Sequence, residues 1–197
     1  MMSDPAITTL GCMGRWEPDA RGRLARAALV LSAERGYDST TVAEIAAAAG
    51  VTERTFYRHF PDKADALFPD NTALLARLAG VAAQAAREGR TALDAALLAV
   101  LDLAAIAYEE PERALLNAQV IPSVPALAGR DLVRQRQIAD AVAQALAEGG
   151  TTPLTAGLAA ETALGVWRVA VLEWVREPQA RSLPDVVATA VGALRAL

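Results

Sequence analysis

Three features of the sequence predict an all-α chain. Apolar residues make up 53% of it but aromatic residues only 5%, and an apolar fraction dominated by Ala and Leu suits packed helices better than sheets. Beyond Asn71 there is neither strand-like alternation nor a cluster of β-branched residues. Capping residues, prolines and glycines punctuate the chain instead, at intervals of a helix length. The expected organisation is an N-terminal arm over residues 1–17, a three-helix helix–turn–helix unit over 18–68, and a second helical domain over 69–197.

The arm mixes Gly, Pro, Ser and Thr without periodicity, as a mobile terminus does. A first helix is predicted from near Pro18 to Arg35, with Leu24, Ala28 and Leu31 inward and Gly36 as its C-cap. Thr41 and Glu44 have the spacing of a capping box. Val42, Ile45, Ala46 and Ala49 then repeat at i, i+3, i+4 and i+7, which places them on one helical face. Gly50 supplies a left-handed residue at the turn. Thr52 caps a second short helix that stops at Pro61, with Phe56 and Phe60 on one face and Arg54, Tyr57 and Arg58 on others. Two short helices around a glycine turn, the second presenting basic and hydroxyl groups, form a unit that fits a DNA major groove.

Asp62 with Asp65 predicts the cap of a long fourth helix, which Pro69 should kink or interrupt. Thr91 with Asp94 starts a helix running to about Glu109, and Pro111 begins another. Ile121 to Pro125 reads as a loop with two prolines. The next helix runs to Glu148, where Gly149 and Gly150 break it. Pro153 opens a helix to about residue 176 that is apolar nearly all round, which predicts burial on more than one side. Ser182 and Pro184 start the last, with Val187 and Val191 apolar.

The stretch from Arg21 through ALVLSAERGYDSTTVAEIAAAAGVTERTFYRHFPDKADALF to Phe68 resembles the TetR family of bacterial transcriptional regulators. Spacing, turn glycines and caps agree over roughly a quarter of the chain. Ser32 departs from the pattern, because such proteins carry a large apolar residue there; either the first helix packs less well or Phe56 fills the space. The resemblance implies a homodimer joined by two C-terminal helices of each subunit, with Val171, Trp174, Val187 and Val191 as interface candidates. The residues alone fit a single monomeric core as well. The resemblance also implies a small-molecule pocket in the helices after the DNA unit. Tyr108, Asn117, Gln119 and Trp167, polar-capable groups in apolar surroundings, are its candidates. Pro111 to Leu146 weakly resembles C-terminal domains of actinobacterial members, some of which sense acyl-CoA or other apolar ligands.

The net charge of −4, and eight basic against ten acidic side chains over residues 1–70, leave even the DNA unit without a basic excess. Contact with DNA needs local positive charge, since screening acts over about 8 to 10 Å. Arg54, Arg58 and Lys63 supply it locally, and Lys63 is the single lysine among nineteen basic residues. Arg54 and Arg58 are candidates for guanine recognition or for phosphate. The family places phosphate contacts at the positions of Tyr57 and Lys63. Thr40, Thr41, Thr52 and Thr55 are expected as caps and as phosphate donors, and His59 as a groove-edge or phosphate contact.

One His and one Cys cannot build the usual zinc sites. No phosphate loop or nucleophile elbow occurs, so no catalytic residue, metal or cofactor is expected. Asp102, Arg168 and Glu173 break the longest apolar runs below the roughly 18 to 20 residues that span a membrane. The first residues lack the pattern of an export signal, and a lone Cys12 suits a reducing cytoplasm. These readings converge on a cytoplasmic, ligand-responsive regulator, most simply a repressor, that binds double-stranded operator DNA. A small helical enzyme, or an interaction module with a vestigial helix–turn–helix, are the alternatives.

Overall fold

The computed structural model describes residues 19–68 and 70–197, and all regular structure among them is helical. The expected arm with Cys12, and the bend expected at Pro69, lie outside the described residues. Helix α1 (Ala20–Arg35) starts at Asp19, whose carboxylate accepts the Gly22 amide at 2.8 Å. It stops at Gly36, whose φ of 87° only glycine adopts cheaply. Helix α2 (Val42–Ala48) begins with the complete capping box, Thr41 accepting from the Glu44 amide and Glu44 from the Thr41 amide. Gly50, at φ 69°, turns the chain into α3 (Glu53–His59), which Thr52 caps.

The fourth helix differs from expectation. Asp62 does accept the Asp65 amide at 2.8 Å, but residues 62–68 form only successive turns, with Ala64, Ala66 and Leu67 buried. Pro69 has no N–H to continue a ladder and disfavours helical geometry at Phe68. Helix α4 (Thr72–Arg87) begins only beyond it, Asp70 accepting the Thr72 amide at 3.0 Å. Helices α5 (Ala92–Tyr108), α6 (Pro111–Ser123), α7 (Pro125–Glu148), α8 (Pro153–Arg176) and α9 (Leu183–Arg195) follow. Residues 121–123 are helical rather than loop: Pro122 lies in the last turn of α6, where few ladder bonds remain to be lost, and Val124 alone separates α6 from α7.

Two apolar cores result. The larger is built from α4, α5, α7, α8 and α9, with α4 against α5 and α7, and α8 across α5, α7 and α9. The smaller gathers Leu24, Ala28, Ile45, Phe56 and Phe60 with Leu67 of the connector, and Val120, Ile121 and Leu127 from the α6–α7 elbow. This core crosses the expected boundary at residue 68, because an apolar side chain is buried by whatever packs on it, near or far in sequence.

Ser32 lies within the small core, 4% exposed, its hydroxyl without a partner. Phe56 is fully buried in the same unit. Leaving a buried hydroxyl unpaired costs about 1 to 3 kcal/mol. Ser32→Ala is therefore expected to raise the unfolding free energy by about 1 kcal/mol, read from chemical denaturation; a loss of stability would show that the hydroxyl is satisfied.

Helix α8 is not buried all round. Leu164, Val166, Ala170 and Trp174 face the large core, while Leu154, Leu158, Val169 and Leu172 are exposed. By length and composition alone α8 could cross a membrane, with a mean hydropathy of 1.2 over its most apolar window, although Glu161, Arg168 and Glu173 lie along it.

Candidate nucleic-acid interface

Helix α3 carries the candidate surface, and the small core fixes which side faces out. Phe56 and Phe60 pack inward with ring centroids 5.6 Å apart. Helical geometry then turns Arg54, Tyr57 and Arg58 outward, and all three are exposed, Tyr57 by 56%. The Tyr57 ring stands edge-on to Phe56 at 5.5 Å, which fixes its base and leaves the hydroxyl outward. Arg54 and Arg58, one turn apart, make no hydrogen bond or ion pair among the described residues. Thr41 and Thr52 are exposed caps at the starts of α2 and α3, and Thr55 shares its hydroxyl with Thr52 at 3.2 Å. Hydrogen bonds from the Thr41 amide and hydroxyl, helped by Arg35, hold the Glu44 carboxyl below its ordinary range, so the cap stays charged at neutral pH.

Three predicted contact residues are placed differently. Thr40 is 2% exposed, and its hydroxyl donates to the Gly36 carbonyl at 2.9 Å. It closes the α1–α2 turn and cannot reach a phosphate. Lys63 donates to the Tyr37 carbonyl at 2.6 Å and the Thr40 carbonyl at 2.8 Å, with its ammonium 4.0 Å from the Tyr37 ring centre. Two of its three donors are thus committed to the turn between α1 and α2. His59 is half-buried, with Nε2 enclosed and unpaired, so that nitrogen does not face a groove. The arginines of α1 also divide: Arg21 lies 5.4 Å over the Phe60 ring, Arg23 donates to the Ala49 carbonyl at 3.1 Å, and Arg26 faces α6.

Residues 24–68 match the family model for bacterial regulatory proteins of the tetR family. That match covers the helix–turn–helix unit, under a quarter of the chain. No curated protein matches it. Its fold is similar to that of FadR from Thermus thermophilus, a TetR-family repressor solved with lauroyl-CoA, at 24% identity and a TM-score of 0.55, covering 88% of this chain and 92% of that one. FadR from Bacillus subtilis, solved with stearoyl-CoA, gives 22% and 0.62 over 87% and 96%. SmeT, the repressor of a Stenotrophomonas maltophilia efflux pump, gives 19% and 0.60 over 86% and 85%. At these identities the likeness is one of fold.

Outside the TetR domain, the four effector candidates are not brought together around a described cleft. Tyr108 stands edge-on to Trp174 at 6.3 Å, Asn117 and Trp167 are half-buried, and Gln119, on α6, is exposed. One cleft, of about 280 Å³, lies between α1 and the start of α6, lined by Arg26, Leu29, Val30, Arg113 and Leu116. Another, of about 400 Å³, lies between the α3–α4 connector and α7, lined by Phe68, Asn71, Arg130, Val133, Arg134 and Gln137. Among the described residues no group of acidic, His or Cys side chains could hold a metal ion.

The four interface candidates are also reassigned. Trp174, Val187 and Val191 are buried within their own subunit and Val171 is half-buried. Their apolar character reflects the intramolecular core, and other residues of α8 and α9 form the outer surface.

One long-range contact has no counterpart in the sequence pattern. Arg130 of α7 donates to Asp62 and to Asp65, both at 2.7 Å. Burial pushes the Asp62 carboxyl up, but hydrogen bonds from the Asp65 amide and Arg130 outweigh it and leave the group below its ordinary range. Burial, then the nearby Asp62 charge, raises the Tyr37 phenol. No local pattern announces a partner 65 residues away.

Proposed function

We propose that the protein is a ligand-responsive transcriptional repressor that binds a pseudo-palindromic operator as a homodimer. The observation that carries the reading is the TetR-family helix–turn–helix with Arg54, Tyr57 and Arg58 outward on α3. Residues 18–68 are the DNA-binding unit and 69–197 the regulatory and dimerisation domain. Arg54 reads a base edge, Tyr57 and Arg58 hold phosphates, and the exposed caps Thr41 and Thr52 place helix ends near the backbone.

Dimerisation is supported by the outer faces of α8 and α9. Leu154, Leu158, Gly165, Val169 and Leu172 follow one line along α8, and all but the glycine are exposed. Beside them α9 exposes Ala188, Gly192 and Ala193, whose small side chains let a neighbouring helix approach closely. A second copy of both helices completes a four-helix bundle, as large exposed apolar stripes mark association sites. The effector is a small, largely apolar molecule. The similar folds of FadR and SmeT, the former solved with acyl-CoA and the latter with triclosan, support this class.

Gel shift with the DNA upstream of its own gene tests the reading. Arg54→Ala is expected to weaken cognate binding by about 1 to 3 kcal/mol and relax preference at one base position per half-site. Tyr57→Phe should weaken cognate and random DNA alike. Equal loss on both DNAs for Arg54→Ala moves Arg54 to the phosphate contacts, and no wild-type shift at all removes the repressor reading.

A further inference from the structure

The DNA unit and the regulatory helices meet in two ways of different character. Val120, Ile121 and Leu127 of the α6–α7 elbow are buried in the small core, which holds the units together. Apolar burial is non-directional, however, and permits rotation of one unit on the other. Direction comes from polar contacts a turn further along α7. The Arg130 guanidinium is shared between Asp62, at the start of the α3–α4 connector, and Asp65, one turn on. Gln137, two turns beyond Arg130, accepts from the Asn71 side chain at 3.0 Å, just before α4. Lys63 ties the same connector to the α1–α2 turn through the Tyr37 and Thr40 carbonyls. The connector leaving the recognition helix is thus bolted to its own unit on one side and to α7 on the other.

We propose that Arg130 is the positioning residue of the DNA-binding unit: its paired bonds to Asp62 and Asp65 latch the connector to α7 and set the angle at which α3 is presented. The three side chains are 35% to 50% exposed, so water competes for each bond. Single exposed ion pairs contribute little, but a planar guanidinium spanning two carboxylates adds geometric restraint that a point charge lacks. Such a latch is strong enough to bias two orientations and weak enough to open. The 400 Å³ cleft lies against it and shares Asp65 and Arg130 in its wall, so whatever enters between the connector and α7 meets the latch.

The test measures orientation directly. Cys12→Ser removes the native thiol, and spin labels at Glu53→Cys on α3 and Ala105→Cys on α5, both exposed positions, report the distance between the units in the full chain. Opening a bias of about tenfold, within the range of known inter-site couplings, raises an alternative distance from roughly a tenth to roughly half of molecules in Arg130→Ala. Asp62→Asn with Asp65→Asn is expected to do the same, as is 1 M salt in the wild type, by screening. Arg130→Met, which keeps an apolar stem without the charge, should behave like Arg130→Ala.

Superimposable distributions for wild type and Arg130→Ala overturn the proposal. So does a wild-type distribution in Arg130→Met, because packing of the side-chain stem would then be responsible. Circular dichroism shows that each variant is folded before it is read. The consequence for DNA rests on the repressor reading: Arg130→Ala is expected to weaken binding to the upstream DNA about tenfold. If the wild type binds no DNA the repressor reading fails, yet the distance measurement still decides the latch.

Discussion

Trp174→Asp is expected to unfold the C-terminal helices rather than to separate one subunit from another. Trp174 is 3% exposed in the large core, beside Tyr108 and among helices α5, α8 and α9 of its own chain. A carboxylate there has no partner, and an unpaired buried charge costs several kcal/mol, comparable with the whole stability of a domain. Leu172→Asp, two residues away on the same helix, should act differently. Leu172 is 64% exposed, so the charge meets water in a monomer and apolar surface only in the dimer. Circular dichroism should show lost helix for Trp174→Asp, and sedimentation a folded monomer for Leu172→Asp. Trp174→Phe is the control: the indole N–H has no acceptor to lose, and the variant buries no charge, so the helices are expected to stay folded. A well-folded Trp174→Asp chain would refute the core placement, and a wild-type monomer at micromolar concentration the bundle.

Phe56→Ala should have the other large effect. Phe56 is fully buried where α1, α2, α3 and the elbow converge, and packs on Phe60. Truncating a buried Phe costs about 3 to 5 kcal/mol, the lost transfer energy plus the cavity. The small core has few large side chains to absorb that, and Ser32 already contributes an unpaired hydroxyl to the same unit. The variant is expected to lose operator binding and amide protection over residues 20–68 while the large core keeps its protection. Phe56→Leu should cost much less and keep binding. Hydrogen exchange followed by mass spectrometry reads both, and unchanged protection in Phe56→Ala would show that another residue anchors this core.

How much of this was legible depended on how far each signal travels along the chain. Thr41 with Glu44, Gly50 and Thr52 act within a turn of themselves, so sequence placed α2 and α3 almost to the residue. Asp62 was a genuine cap, but the helix it announced depended on Pro69, and α4 began ten residues later. Lys63 suggested a phosphate contact by its position, whereas its partners are carbonyls 23 and 26 residues upstream. The nearly unbroken apolar character of α8 predicted burial on more than one side, whereas only the face toward α5, α7 and α9 is buried. Trp174 and Leu172 look alike in a hydropathy pattern, and only the packing of α5 and α9 separates them. Arg130 carried no local signal.

The α6–α7 elbow has a consequence for how this chain can be recombined. Val120, Ile121 and Leu127 are sequence-distant members of the DNA unit's own core, so the reading head is not a cassette that ends at residue 68. A hybrid regulator that grafts this head onto a foreign sensor must bring a matching elbow with it. Otherwise Leu24, Phe60 and Leu67 lose part of their cover, and the graft acquires a sticky apolar face. Change in the C-terminal helices is likewise constrained at these three positions even where it is free elsewhere, so the two parts of the chain are expected to diversify as a coupled pair.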